Sequence, residues 1–201
     1  DAGVGGRISS DPEIRRDIMK VQIIYSSLSG CTRKVAEGIY HSLTGVDKSI
    51  HDLKDGEPVL DGDILLLGYW VDKGGPNEQM HAFLEKLKGK TVGIFCTLAF
   101  YADSEHGYQS LKKGVDLAAQ QNTVIGSYVC NGALSEQMLA RFRTGKHGGH
   151  HAASPEKELR WKMMNTHPTQ AEISLAAERF GERIQLYREF TENGLKFVSI
   201  Q

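Results

Sequence analysis

The sequence predicts a single α/β domain built on a parallel sheet with helices on both faces. Two observations carry this. Short apolar runs rich in β-branched residues alternate with segments whose apolar residues recur at helical spacing. The resulting order, β-α-β-loop-β-α-β-α-β-α, is that of a doubly wound sheet. A chain of 201 residues is long enough to bury the core such a sheet needs.

The first strand is read at Val21–Tyr25, a buried apolar run. Small hydroxyl residues around Gly30 make a turn over Ser26–Thr32. A helix follows, with Val35, Ala36, Ile39, Tyr40 and Leu43 on one face and Gly45 as its stop. Ser49–Leu53 is the second strand and Ile64–Tyr69 the third. Gly74, Gly75 and Pro76 mark a loop. Met80, Phe83, Leu84 and Leu87 share a helix face, and Thr91–Thr97 is the fourth strand. A helix over 104–121 places Tyr108, Leu111, Val115 and Leu117 inward. Val124–Cys130 is the fifth strand. A short helix at 134–143, a Gly/His loop at 145–155, a helical stretch at 156–166 and a long amphipathic helix over Thr169–Phe190 complete the chain.

Composition narrows the function. Hydrophobic residues make up 40% and charged residues 24%, a globular profile. Apolar runs such as Ile64–Leu67 are far too short to cross a bilayer. The net charge of −1 offers no field for nucleic acid or for a strongly cationic partner. Three separated cysteines, Cys31, Cys96 and Cys130, with no CxxC, fit a reducing compartment, so the cytoplasm is expected. Residues 1–18 lack periodicity and read as a vector-derived or non-essential extension. They hold four of the 25 acids and three of the 24 bases, so the remainder is neutral. Residues 19–190 are the domain and 191–201 a tail.

Tyr25-Ser26-Ser27-Leu28-Ser29-Gly30-Cys31-Thr32 joins a strand to a helix. A helix start presents unpaired N–H groups and a positive dipole end, which together hold a phosphate. Ser27, Ser29 and Thr32 add hydroxyls, and Gly30 permits close approach of the backbone. No Gly-Lys-Ser/Thr follows and only one glycine is present, so a monophosphate fits better than a nucleoside triphosphate or a dinucleotide. The plain alternative is a Ser/Thr turn capping a helix.

The segment Y-S-S-L-S-G-C-T-R-K-V-A-E-G-I resembles the flavodoxin signature, an aromatic residue followed by T/S-x-T/S-G-x-T and a helix. The stretches D-L-K-D at 52–55, L-G-Y-W-V-D-K-G at 67–74 and G-I-F-C-T-L-A-F-Y-A-D-S-E-H at 93–106 are similar to a bacterial branch of flavodoxin domains. That branch also carries a late His-Pro, matched by His167-Pro168. The resemblance spans residues 19 to 190. It implies a flavodoxin-like three-layer sandwich whose five parallel strands run in the order 2-1-3-4-5. It also implies FMN, with the phosphate on Ser27, the Leu28 N–H, Ser29, Gly30, the Cys31 N–H and Thr32.

The flat flavin ring needs apolar walls and a few polar groups at its edge. The expected second loop is Tyr69, Trp70, Val71 and Asp72, with Trp70 stacking on the ring. The third is Thr97, Leu98, Ala99, Phe100 and Tyr101. There Thr97 and the backbone of Leu98 and Ala99 meet the pyrimidine edge, and Phe100 or Tyr101 forms the second wall. Lys73 sits close to the expected ring. His106 is read as a first-turn helix residue.

The leading expectation is an FMN-binding electron carrier that works with a redox partner protein, as a monomer or weak homodimer. A second is an NAD(P)H-dependent FMN reductase acting on a small organic substrate, with 131–168 as a lid or partner surface. A third is a binding module without flavin. His147, His150 and His151 invite a metal, but a Gly-flanked loop offers little rigidity, so no metal site is expected.

Overall fold

The computed structural model describes residues 18–144 and 152–199. The extension before Ile18 and the His147–His151 cluster lie outside the described residues.

Five parallel strands form the sheet: β1 (Lys20–Tyr25), β2 (Asp47–Asp52), β3 (Ile64–Asp72), β5 (Thr91–Leu98) and β6 (Thr123–Asn131). A two-residue strand, β4 (Gly75–Pro76), folds back antiparallel on the end of β3. The order is β2-β1-β3-β5-β6, which is the expected 2-1-3-4-5 once β4 is set aside.

Strand alternation divides the apolar residues between two cores. Val21, Ile23, Leu66 and Phe95 face α1 (Cys31–Ser42) and α6 (Gln170–Glu192). Ile24, Leu65, Leu67 and Ile94 face the other way, with Met80 and Phe83 of α2 (Glu78–Lys86) and Val115 and Ala118 of α3 (Glu105–Ala119). Both faces of the central strands are therefore buried, which explains why they read as unbroken apolar runs.

Two expectations change here. In α3 Val115 is buried as expected, but the rest of the buried stripe is the small residues Gly107, Ser110, Gly114 and Ala118, while Tyr108 points outward and is 57% exposed. Small residues let the helix approach the sheet. A Cβ on Gly114 would stand 2.5 Å from the Tyr69 hydroxyl. The second change is that β3 continues past Tyr69 to Asp72, so Trp70 lies within the strand, paired with Thr97. The loop expected at Gly74–Pro76 is a hairpin. Val71 pairs with Pro76 and Asp72 with Gly75, with Lys73 (φ 49°) and Gly74 (φ 74°) as the turn. Two consecutive positive φ angles match the tight turn that suits strand twist.

After β6 the chain forms α4 (Glu136–Arg143) and α5 (Pro155–Met164). Arg143 donates two 2.8 Å hydrogen bonds to Glu158, and Phe142 stacks on Trp161 at 5.7 Å, so the two helices pack as a pair. The capping box of α6 joins Thr169 and Glu172. The Glu172 carboxylate also accepts from the Asn131 N–H at 3.3 Å and meets His167 Nδ1 at 2.7 Å, which fixes the helix start against the end of β6. Beyond α6 the tail returns to the sheet edge, where Ser199 Oγ accepts from the Val124 N–H at 2.7 Å.

Candidate functional site

Strand order reverses between β1 and its neighbours β2 and β3. Beyond the C-terminal ends of strands at such a point, open α/β sheets bind ligands. A cleft of about 620 Å³ lies there, within the roughly 300–1,000 Å³ of small-molecule sites.

The first contribution comes from the β1–α1 junction. Leu28 and Ser29 line the cleft, and Leu28 is 50% exposed. Gly30 is the N-cap of α1, with φ 88° and no side-chain cap bond. Nothing lies within 4 Å of a Cβ built there, so the backbone at Gly30 faces open space. The Arg33 N–H is answered by Ser27 Oγ at 3.3 Å, and the Lys34 N–H bonds to the Gly30 carbonyl. The helix start therefore offers its dipole and the N–H groups of Cys31 and Thr32, with no carboxylate anywhere in 26–32. That donor set fits a single anionic phosphate.

The second and third contributions come from the ends of β3 and β5. Trp70, Val71 and Asp72 line the cleft on one side, and Thr97, Leu98, Ala99 and Phe100 on another. Nine of the fifteen residues expected from sequence thus converge on one space.

Six do not line it. Tyr69 is corrected outright: its side chain is fully buried on the α2/α3 face, and its hydroxyl donates to the Ser110 carbonyl at 2.7 Å. Strand alternation sends it away from Trp70. Burial, the largest cause, drives its hydroxyl pKa well above the ordinary value. Tyr101 is 46% exposed outside the cleft, whereas Phe100 lines it. The Thr32 hydroxyl is buried and shares a 2.9 Å hydrogen bond with Thr97 Oγ1 instead of facing the cleft. Ser27, Gly30 and Cys31 are not among the residues that line the cleft. Cys31 Sγ accepts from the Ala133 N–H at 3.2 Å and its thiol reaches the His167 carbonyl at 3.5 Å, so the side chain braces the loop.

Sequence reasoning expected 131–168 as a lid or partner surface but named none of the residues that form the fourth wall. α4 and α5 bring Met138, Phe142, Lys157, Arg160 and Trp161 to the cleft, and α3 brings Gln109 and Lys113. Lys73 and His106, noted in the sequence, line it as well. The Arg160 guanidinium lies over the Phe100 ring, 4.8 Å from its centroid, in a cation–π contact. No local pattern links residues 60 positions apart in sequence, so the sequence could not single out these particular residues.

Among the described residues no group of three or more His, Cys, Asp or Glu side chains is arranged to hold a metal. None of the described helices is long and apolar enough to cross a membrane.

Sheet order, cleft position and anion-compatible loop together define a flavodoxin-like protein. The flavodoxin domain model matches residues 22–181, and the chain belongs to that family. It is 30% identical over 153 residues to the flavodoxin-like domain-containing protein BilS of Clostridioides difficile strain CD3, covering 74% of this chain and 84% of that protein. Its fold is similar to oxidised flavodoxin 1 of Bacillus cereus, with TM-score 0.55, 13% identity and coverage of 84% of this chain and 98% of the other. It is also similar to the Fusobacterium nucleatum flavodoxin bound to flavin mononucleotide, with TM-score 0.50, 15% identity and coverage of 86% and 98%.

Proposed function

We propose that the chain binds one FMN in this cleft and uses it to pass electrons to or from a partner protein. One observation carries the reading. A loop suited to one phosphate and the ends of β3 and β5 open onto a single space bounded by Trp70 and Phe100. Membership of the flavodoxin family supports it, as does the fold shared with a flavodoxin bound to FMN.

In this reading the N–H groups at 28–32 and the Ser27 and Ser29 hydroxyls hold the phosphate. Trp70 and Phe100 bound the ring, and Thr97 to Ala99 present polar backbone to its edge. FMN supplies the redox chemistry when bound, and the protein supplies binding and electrostatics. The apolar walls exclude water from the ring. Lys73 and Arg160 place positive charge on the cleft, which favours a more negative, reduced ring.

A second reading is favoured by α4 and α5. They close one side of the cleft, which an electron carrier does not require and an FMN reductase acting on a small organic substrate does. Anaerobic titration distinguishes the readings. Visible flavin absorbance at one FMN per chain is expected, with reduction by a separate reductase protein. Bleaching by NADPH alone favours the second reading. Protein that stays colourless with excess FMN overturns both.

A further inference from the structure

We infer that the α3–α5 side of the cleft is a binding site for a second, flat organic anion beside the flavin. The inference rests on the FMN reading for its neighbour and shares Lys73 and Arg160 with it, but it draws on none of the residues that hold the phosphate.

Charge in the cleft is lopsided. Lys73, Lys113, Lys157 and Arg160 line it, and Asp72 is the one acid among the described lining residues. The whole chain carries −1, so this is a local concentration of positive charge. None of it comes from the 26–32 loop assigned to the FMN phosphate. A concave, partly apolar surface lined by one sign of charge focuses its field on an oppositely charged ligand.

Arg160 anchors the site. Its Nε is buried and has no hydrogen-bond partner, and its guanidinium makes no ion pair among the described residues. A buried charged donor is costly unless an acceptor answers it. A carboxylate or phosphate is the acceptor a guanidinium fork matches. Lys113 stands at the rim: its Nζ and His106 Cε1 each lie 3.5 Å from where a Gly74 Cβ would be. Glycine at that turn leaves both groups room. The wall beside them is the Phe142–Trp161 stack, interplanar angle 27°, with Met138. Anionic groups on a flat conjugated body would satisfy the cations and this wall together.

The test uses the FMN-loaded protein. Two anionic probes are titrated, naphthalene-2,6-dicarboxylate and NADP⁺, with naphthalene as the neutral control. Readouts are tryptophan fluorescence and perturbation of the flavin band. Saturable binding of either anion, and not of naphthalene, is expected. Arg160→Met should weaken it roughly tenfold and Lys113→Met less. Lys112→Met, on the outer face of α3 and paired with Asp116, should leave it unchanged. The dicarboxylate binding alone marks a carboxylate ligand, and NADP⁺ alone marks a phosphate ligand. Flavin-loaded protein that binds neither anion, or binds them equally with Arg160→Met, overturns the inference. So does an Arg160→Met variant that loses affinity for FMN but not for riboflavin, because the cation then serves the FMN phosphate. Failure to load FMN at all would instead sink the flavin reading.

Discussion

The hydroxyls of Thr32 and Thr97 lie 2.9 Å apart, buried, and 65 positions separate them in sequence. This bond joins the first turn of α1 to the end of β5, so the β1–α1 turn and the third cleft loop are held in register by their own side chains.

Thr32→Val should therefore destabilise the protein by about 1–3 kcal/mol, because it strands the Thr97 hydroxyl without a partner. Thr97→Val should do the same in reverse. The double variant should cost less than the sum of the two. Urea unfolding of all four proteins completes the cycle, and strict additivity would show that the hydroxyls are not coupled.

Gly30 holds φ 88° with open space around it. Gly30→Ala introduces no clash, only left-handed backbone strain of about 1–2 kcal/mol. Relief of that strain moves the N–H groups around it, so FMN affinity should fall while the fold persists. Gly30→Asn should do less harm, since asparagine tolerates this conformation. Quenching of FMN fluorescence during titration reads both.

Glycines in two helices should respond in opposite directions. Gly114→Ala drives a methyl to 2.5 Å from the Tyr69 hydroxyl and should cost about 1–3 kcal/mol. Gly181→Ala in α6 meets nothing within 4 Å and should stabilise by about 0.4–1 kcal/mol. Thermal melting separates them, and two shifts of the same sign would contradict the packing described.

Burial holds the Cys96 thiol neutral, pushed from 9.0 up to about 12, with the Tyr69 hydrogen bond opposing. Burial also raises Cys130. In the unfolded chain these thiols ionise first, so the unfolded state binds fewer protons above pH 9. Stability is then full below that pH and falls as pH climbs from 9 toward 12, by up to about 1.4 kcal/mol per unit for each thiol. Cys96→Ala should flatten that decline in urea melts across the same range. Iodoacetamide should leave both thiols unmodified until the protein unfolds.

Trp70 lines the cleft from within β3, paired with Thr97. Trp70→Ala should weaken FMN binding by roughly tenfold or more, since a buried aromatic face contributes about 1–3 kcal/mol. Trp70→Phe should recover most of it. An unchanged dissociation constant in the alanine variant would remove Trp70 from the ring-binding wall.

The amino-acid sequence by itself determined the layers and the turn that joins β1 to α1. The central strands are apolar on both faces, so their runs are visible without knowing their neighbours, and Ser26–Thr32 acts through consecutive backbone groups. Which way a side chain points was decided only in three dimensions. Tyr69 and Trp70 are adjacent and both aromatic, yet strand register sends one into the core and the other to the cleft. Tyr108 fits a helical apolar stripe, but the sheet accepts the smaller Gly107–Ser110–Gly114 face because it packs closer. The Arg160–Phe100 contact and the Thr32–Thr97 bond join residues at least 60 positions apart. Local propensity contains no term for such pairs, and only the closed fold brings them together.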